Sequence, residues 1–190
     1  MDLHRYKIIL ASQSPRRKQL LQDAGFRFEV RPTDIPEDFP ADMPPFEVAP
    51  YLAQKKAHAA RHFIQHDELV LASDSVVILD GTIFNKPENP DEARAMLRRL
   101  SGNTHTVVTG VCLLSKEKEQ VFSGVSQVSF DPLSEEEISF YLDTFQPYDK
   151  AGAYGIQEWI GLCKISRIEG TYANVMGLPM DLVYRALQNF

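Results

Sequence analysis

Residues 7–25, KIILASQSPRRKQLLQDAG, join a short apolar run directly to a polar turn and a helical segment. The apolar run is typical of a short buried strand. Pro15 lies where a helix accepts proline, in its first turn, and Ser14 before it is a suitable N-cap. The helix is predicted to continue to Ala24 and to stop at Gly25. This stretch therefore predicts a strand that passes through a polar turn into a helix.

Three cations, Arg16, Arg17 and Lys18, occupy the start of that helix. The helix dipole is already positive there, so cations are unfavourable and anions are favoured. A bound anion would resolve the conflict, because backbone N–H groups and the hydroxyls of Ser12 and Ser14 can hold phosphate. An arginine fork also binds phosphate oxygens in pairs. The alternative is a basic helix start that simply faces solvent.

The rest of the chain mixes strands and helices without strict alternation. Further helices are predicted at residues 46–65, 89–102, 133–145 and 179–190. Strands are predicted at residues 26–32, 68–73, 75–81, 105–115, 120–130 and 161–168. Asp80 and Gly81 predict a hairpin turn. The pattern indicates a mixed α/β or α+β protein built around a mixed sheet.

The composition excludes some classes of protein. With 44% hydrophobic residues among 190, the chain can bury a core, and global disorder is not expected. The formal net charge of -6 argues against a protein that coats DNA, although a local basic pocket would suffice for a nucleotide. Cys112 and Cys163 fall in strand-like runs and are expected to be buried. No apolar segment reaches about 18 residues, so we expect a soluble cytoplasmic protein.

Two acidic residues are candidates for chemistry. Asp74 lies in the apolar run LASDSVVIL, where an unpaired carboxylate would be costly to bury. We therefore expect Asp74 at a strand end, where it holds a metal, activates water or caps a turn. Glu37 lies in a loop, TDIPEDFPADMPP, with four of the twelve prolines. It is either a second ligand for a divalent cation beside Asp74 or one more surface acid.

Other polar residues have weaker signals. Lys56 and Lys86 are each candidates for binding phosphate, although a single lysine is usually solvated. Gln157 ends the glycine-rich loop DKAGAYGIQ, and its amide could pair with the edge of a base. His58, His62 and His66 would share one face of the predicted helix, but no acid or cysteine is spaced to complete a metal site there. His105 is a possible general base without an orienting carboxylate nearby in sequence.

Seven blocks of this sequence, taken together, resemble the Maf proteins. In order they are LASQSPRRKQLL, LAQKKA, ASDSVV, NKP, LSGNTHTVVTGV, DKAGAYGIQ and NVMGLP. They extend from Leu10 to Pro179, nearly the whole chain. The resemblance therefore predicts a single Maf-like domain over residues 1–190.

The resemblance implies nucleoside triphosphate pyrophosphatase activity and a fold related to that of the inosine triphosphate pyrophosphatases. That fold has an elongated mixed β-sheet flanked by helices, with two lobes and a central cleft. A Mg²⁺ or Mn²⁺ cofactor and a nucleoside triphosphate substrate are also implied. Neither nucleic acid nor membrane is expected as a partner, because the chain is acidic and has no long apolar segment. A homodimer is common in such families, although no interface can be read from the sequence.

The family's functional positions can be matched residue by residue. By resemblance, Asp74 matches the proton acceptor, and it is expected to hold the metal with Glu37. Base specificity is matched to Arg17, Ser75 and Gln157. Phosphate binding is matched to Ser12, Arg16, Lys56 and Lys86. The implied reaction is attack of water on the α-phosphorus, which releases pyrophosphate and a nucleoside monophosphate.

The branch of the family can be inferred in the same way. SPRR, DSVV and KAGAYGIQ resemble the branch that acts on dTTP and UTP, with modified pyrimidine nucleotides as further candidates. The branch that prefers 7-methyl-GTP typically lacks this loop and the double arginine. Most members have Asp-Thr where this chain has Asp74 and Ser75, and glycine usually follows YGIQ where this chain has Glu158 and Trp159. Glu158 is expected to narrow the pocket or to reposition the loop.

A different class of function stays open at this point. The family name derives from a link to inhibited septum formation, so a nucleotide-binding regulator of cell division with little turnover is the alternative. Asp74, Lys56 and Lys86 favour an enzyme, because a pure sensor would not need a general base. The acidic balance of the chain disfavours a nucleic-acid-binding protein.

Overall fold

The computed structural model describes residues 5–190, and within them the chain forms seven strands and seven α-helices. The strands are β1 (Lys7–Leu10), β2 (Phe28–Val30), β3 (Glu68–Leu79), β4 (Thr82–Phe84), β5 (Thr104–Leu114), β6 (Glu119–Phe130) and β7 (Ile165–Glu169). The helices are α1 (Pro15–Asp23), α2 (Pro45–Ala59), α3 (Pro90–Leu100), α4 (Glu135–Phe145), α5 (Trp159–Cys163), α6 (Tyr172–Met176) and α7 (Met180–Asn189). Single 3₁₀ turns cover Arg61–Phe63 and Ala151–Ala153. The predicted mixed α/β class is confirmed.

The sheet is mixed. Its strand order is β2-β1-β3-β5-β6-β7, and β4 pairs with β3. Strand β1 is parallel to both β2 and β3, whereas β3 with β4 and β6 with β7 are antiparallel. The tight turn between β3 and β4 has positive φ at Asp80 (50°) and Gly81 (74°), which the primed hairpin turns require. The predicted hairpin is confirmed.

The chain divides into two compact units. The first contains the residues up to Asp74 together with Thr109–Gly124 and Gly177–Phe190. The second contains Ser75–Val108 and Val125–Met176. The divisions fall inside β3, β5 and β6. The single domain over residues 1–190 stays a prediction.

In the first unit, both faces of the sheet are buried under helices. Alternate side chains pack with α1 and α7 on one face: Ile8, Leu10, Leu69, Leu71, Val111 and Leu113. The intervening ones pack with α2 on the other: Ile9, Ala11, Val70, Ala72, Cys112 and Leu114. Successive side chains of a strand point to opposite faces, so strands buried on both sides read as continuous apolar runs. This explains the unbroken apolar stretches of the sequence.

Helix α2 lies unusually close to β5. A Cβ atom added at Gly110 would lie 2.3 Å from the backbone nitrogen of Pro50 and 2.3 Å from the carbonyl carbon of Ala49. Only glycine leaves room for this approach. The contact fixes the distance of α2 from the sheet, and α2 carries Lys56.

The helix predicted over residues 46–65 is shorter than expected. It ends at Ala59, and the following 3₁₀ turn buries Ile64 against the core cluster of α2. Burial of Ile64 redirects the chain into β3, which the helical spacing alone could not indicate. His58, His62 and His66 therefore do not share one helix face, and that prediction is wrong. His58 instead contacts Glu119, with Nε2 and Oε2 2.8 Å apart.

The second unit has its own core, formed by β3, β5 and β6 with α3 and α4. Asn89 caps α3 by accepting from the Glu92 N–H at 2.9 Å, and Ser134 with Glu137 forms a complete capping box on α4. Both caps are confirmed. Cys112 is buried as predicted, but Cys163 is exposed, because residues 159–163 form α5 rather than the start of a strand.

Within residues 5–190, no helix has both the length and the apolar character that crossing a membrane requires.

Candidate active site

The turn between β1 and α1 is held by serine hydroxyls. Ser14 is the N-cap of α1, and its Oγ accepts from the Arg17 N–H at 3.4 Å. Ser12 Oγ accepts from the Ser14 N–H at 3.2 Å. The predicted strand, turn and helix are confirmed, including the cap. The first turn of α1 contains no acidic residue, so no side chain of that turn offsets the positive end of the helix dipole.

Arg17 is anchored by the chain itself. Its Nε donates to the Gly177 carbonyl at 2.8 Å, and its Nη1 donates to Ser12 Oγ at 3.3 Å. Ser73 Oγ donates to the same Gly177 carbonyl at 3.2 Å. The Gly177 carbonyl thus ties the start of α1 to the segment of β3 that leads into Asp74.

The electrostatic surroundings of Arg17 agree with this position. Burial lowers the pKa of the Arg17 guanidinium, and the charge of Asp74 opposes that change. The charge of Arg16 lowers the pKa further, and the charge of Glu37 raises it. Arg17 therefore lies within the field of both candidate metal-binding carboxylates.

Lys56 binds both of those carboxylates. Its Nζ lies 2.5 Å from Asp74 Oδ1 and 2.7 Å from Glu37 Oε1. The side chains of Lys56 and Asp74 are only 12% and 11% exposed, whereas that of Glu37 is 42% exposed. Charge-assisted hydrogen bonds of this length compensate for the burial of the charges. The structure thus brings together three residues that the sequence separates widely.

The position of Asp74 differs from the prediction. It lies inside the continuous strand β3 rather than at a strand end. The prediction assumed that an acid within an apolar run would be too costly to bury without a partner. Lys56 provides that partner from α2, so the strand continues through Asp74 and Ser75 without interruption.

The pair of carboxylates fits a divalent cation of the magnesium type. Mg²⁺ is usually bound by one or two carboxylates together with substrate phosphate oxygens and water. The shared contact with Lys56 shows that Asp74 and Glu37 can both reach one cation. In residues 5–190 no group of three or more His, Cys, Asp or Glu side chains forms a complete metal site. Substrate oxygens or water would therefore have to complete the coordination.

The second unit contains Ser75, Lys86 and Gln157. Lys86 follows β4 and is exposed, and Ser75 directly follows Asp74 in β3. The neighbouring Asn85 carbonyl accepts from the Gly152 N–H at 3.2 Å. This bond connects the Lys86 segment to the glycine-rich loop over residues 149–157, which ends in Gln157.

The two polar atoms of the Gln157 amide differ in their hydrogen bonding. Its Nε2 donates to Glu158 Oε1 at 3.5 Å. Its Oε1 is buried and has no hydrogen-bond partner within residues 5–190. A buried acceptor without a donor is costly, so a ligand that supplies one would bind favourably here.

Glu158 is fixed by two further contacts. The Tyr141 hydroxyl donates to Glu158 Oε2, and Lys150 Nζ lies 3.1 Å from Glu158 Oε1. The Tyr141 oxygen in turn accepts from the Gly155 N–H at 2.9 Å. Burial and the bond to Glu158 raise the pKa of the Tyr141 hydroxyl, which therefore remains a donor. Trp159 packs edge-on against Phe140, with ring centroids 5.3 Å apart.

Sequence reasoning missed several of these positioning groups. The role of Gly177 rests on its carbonyl oxygen, which no side-chain pattern reveals. One signal in the sequence was usable, namely the glycine directly before Leu-Pro. In the structure Gly177 has a positive φ of 121°, a conformation that favours glycine. In the sequence, Lys150 is one residue of a glycine-rich loop and Tyr141 one position of a predicted helix, and neither pattern indicates a contact with Glu158.

Comparison with known proteins shows the family to which the chain belongs. The fold and the site define a mixed α/β protein. It contains a cluster of one lysine and two carboxylates, and a helix N-terminus of the kind that binds phosphate. The family model described as Maf-like protein matches residues 7–190. The chain belongs to the Maf family.

Three individual comparisons illustrate the range of similarity. The chain is 52% identical over 192 residues to the dTTP/UTP pyrophosphatase of Porphyromonas gingivalis, covering 100% of this chain and 96% of that protein. It is 48% identical over 188 residues to the dTTP/UTP pyrophosphatase of Phocaeicola vulgatus, covering 98% and 97%. The solved structure of the Staphylococcus aureus Ham1 protein matches with 17% identity and a TM-score of 0.47, over 65% of this chain and 71% of that one.

Proposed function

We propose that this Maf-family protein is a nucleoside triphosphate pyrophosphatase that hydrolyses dTTP and UTP to the monophosphate and pyrophosphate. The full-length relatives at 52% and 48% identity carry the name dTTP/UTP pyrophosphatase. The observation that carries the proposal is the contact of Lys56 with both Asp74, which is largely buried, and Glu37, which is partly exposed. A cationic donor beside two carboxylates supports binding of one phosphate chain together with one metal ion.

The proposed reaction is an in-line displacement at the α-phosphorus. Asp74 accepts a proton from the attacking water, whose oxygen forms a bond to phosphorus. The bond from phosphorus to the bridging oxygen breaks, and pyrophosphate leaves with the electron pair. Phosphoryl transfer needs little beyond positioning and charge stabilisation, which a small set of cations and hydrogen-bond donors can supply.

Phosphate binding is assigned to the cationic groups. Arg16 and the hydroxyl of Ser12 lie at the start of α1, where the dipole and the backbone N–H groups favour an anion. Lys56 would exchange one of its carboxylate partners for a phosphate oxygen. Lys86 would contribute a further positive charge.

Asp74 and Glu37 would hold Mg²⁺ or Mn²⁺. When bound, such an ion neutralises charge on the phosphate oxygens and stabilises the charge that develops during displacement.

Recognition of the base is assigned to Arg17, Ser75 and Gln157. The amide of Gln157 is suited to the edge of a pyrimidine because it contains one donor and one acceptor side by side. Arg17 is held by Ser12 and Gly177, so its remaining N–H groups have a fixed direction. The expected homodimer, the cytoplasmic location and the absence of a nucleic-acid partner are retained as predictions.

The proposal is tested by measuring pyrophosphate release from dTTP, UTP, the other canonical nucleoside triphosphates and modified pyrimidine triphosphates, each with Mg²⁺ or Mn²⁺. We expect the fastest release from dTTP and UTP. Tight binding of these nucleotides without release from any member of the panel would overturn the proposal and would instead support a nucleotide-binding regulator.

A further inference from the structure

The amide of Gln157 can read a pyrimidine only if its orientation is fixed. Uracil and thymine present an N3–H donor beside a carbonyl oxygen, whereas cytosine presents an N3 acceptor beside an amino group. An amide that rotates by half a turn exchanges its oxygen and nitrogen and can pair with either edge. Selection of uracil over cytosine therefore depends on what prevents that rotation.

Glu158 supplies the restraint. Its Oε1 accepts from Gln157 Nε2 at 3.5 Å. If the amide were reversed, Gln157 Oε1 would face a carboxylate oxygen, and two acceptors would repel each other. The observed orientation is the one that electrostatics favours, and it leaves Gln157 Oε1 as the buried acceptor without a donor.

Glu158 is itself held rigidly enough to act in this way. Its side chain is 15% exposed and is bound by Lys150 and by the Tyr141 hydroxyl. The Glu158 N–H also donates to the Gly155 carbonyl at 3.1 Å. A Cβ atom at Gly155 would lie 2.7 Å from Glu158 Cδ and 3.0 Å from Gln157 Nε2, so glycine there leaves space for both side chains.

We propose that Glu158 is a positioning residue that locks the Gln157 amide with its oxygen toward the base, and that it thereby selects uracil and thymine over cytosine. This inference rests on the proposed function, since it assigns a role in substrate selection to the same site. The locked oxygen accepts from the N3–H of uracil, and it repels the N3 lone pair of cytosine. The second N–H of the amide remains available for the neighbouring carbonyl of uracil.

The test compares UTP with CTP in Glu158→Gln and Glu158→Gly. Both changes remove the carboxylate that prevents rotation, so the ratio of kcat/KM for UTP to that for CTP should fall roughly tenfold or more, the range of one mismatched hydrogen-bonding edge. The value of kcat/KM for CTP should rise in absolute terms. Loss of folding cannot produce a gain of that kind.

Two further variants serve as controls. Asp149 is the other carboxylate on Lys150, at 2.6 Å from its Nζ, so Asp149→Asn should leave the ratio unchanged. In a Gln157→Ala background, the Glu158 substitutions should have no further effect on the ratio, because a positioning residue acts only through its target. An unchanged ratio in both single Glu158 variants, or an equal effect with and without Gln157, would overturn the proposal.

Binding measurements keep this test separate from the test of hydrolysis. The dissociation constants of UTP and CTP can be measured by calorimetry in an Asp74→Asn background, where turnover should be strongly reduced. A parent protein that binds without hydrolysis would contradict the proposed function, yet the ratio of the two constants would still decide the role of Glu158.

Discussion

The ammonium nitrogen of Lys56 lies 2.5 Å from Oδ1 of Asp74, although the two residues belong to a helix and to the middle of a strand. This contact makes it possible to bury a carboxylate within an apolar strand. It also means that Asp74 is oriented before any substrate binds. Preorganised charge of this kind is what phosphoryl transfer requires most.

Replacement of Asp74 by asparagine should reduce kcat for dTTP and UTP by roughly 10²–10⁴-fold, the usual contribution of a general base. The asparagine keeps the shape of the side chain and loses its negative charge. Pyrophosphate release measures the effect, and the circular dichroism spectrum confirms folding. Activity within about tenfold of the parent would remove Asp74 from the role of proton acceptor.

Replacement of Glu37 by glutamine should raise the Mg²⁺ concentration that gives half-maximal activity. We expect roughly tenfold or more, the range that even indirect partners of metal sites reach. Asp38→Asn is the matched control, because Asp38 is the adjacent acid and pairs with Lys55 at 2.6 Å instead of with Lys56. Equal metal dependence in the two variants would argue against Glu37 as a ligand.

Replacement of Gly110 by alanine should destabilise the protein strongly. The new Cβ would lie 2.3 Å from the backbone of α2, so the helix that carries Lys56 must shift. We expect a loss of about 3 kcal/mol or more in the free energy of unfolding, at the upper end for overpacking. Urea denaturation provides the measurement.

Gly81→Ala is the comparison for that experiment. Gly81 has a positive φ of 74° but no atom within 4 Å of an added Cβ. The substitution therefore costs only backbone strain, about 1–2 kcal/mol. If Gly110→Ala proved no more destabilising than Gly81→Ala, the close approach of α2 to β5 would not be a constraint on stability.

His105 predicts a specific dependence of stability on pH. Its side chain is buried, its Nε2 lies 2.7 Å from the Tyr154 hydroxyl, and burial lowers the pKa of His105 from 6.5 to about 4. Between these two values the unfolded chain binds a proton that the folded chain does not. The free energy of unfolding should therefore fall as pH falls from 6.5 to 4, by up to about 3 kcal/mol from this group.

His105→Gln tests that assignment. Glutamine retains a polar group for Tyr154 but does not titrate in this range. Urea denaturation at a series of pH values should show a flatter acid limb in the variant than in the parent. The same slope in both proteins would mean that other groups cause the loss of stability in acid.

Local structure could be predicted where a short segment contains all its determinants. Ser14 with Pro15, Asn89 with Pro90, and the Ser134 capping box each satisfy free backbone N–H groups from within a few residues, so their helix starts were predicted correctly. The end of α2 was not, because it depends on Ile64 finding a place in the core. The same limit applies to Cys163, whose exposure follows from the short helix α5.

The candidate site shows the same division. Asp74 and Lys56 could be nominated from residue type and from the resemblance to the Maf family, but the partner that allows Asp74 to lie inside β3 comes from a helix far away in sequence. Gln157 could be nominated as a reader of the base. Nothing in the sequence pattern indicated that the amide nitrogen of Gln157 would donate a hydrogen bond to Glu158.

The sequence by itself determined the family, the class of fold and the chemical types of the site residues, because motifs, caps and apolar runs are local and depend on neighbouring residues. Only the tertiary structure decided which charges meet. Lys56 reaches Asp74 because Gly110 lets α2 approach the sheet, and Arg17 is directed by the carbonyl of Gly177. Such contacts join residues distant in sequence, and their energies depend on burial and distance, which exist only once the chain has folded.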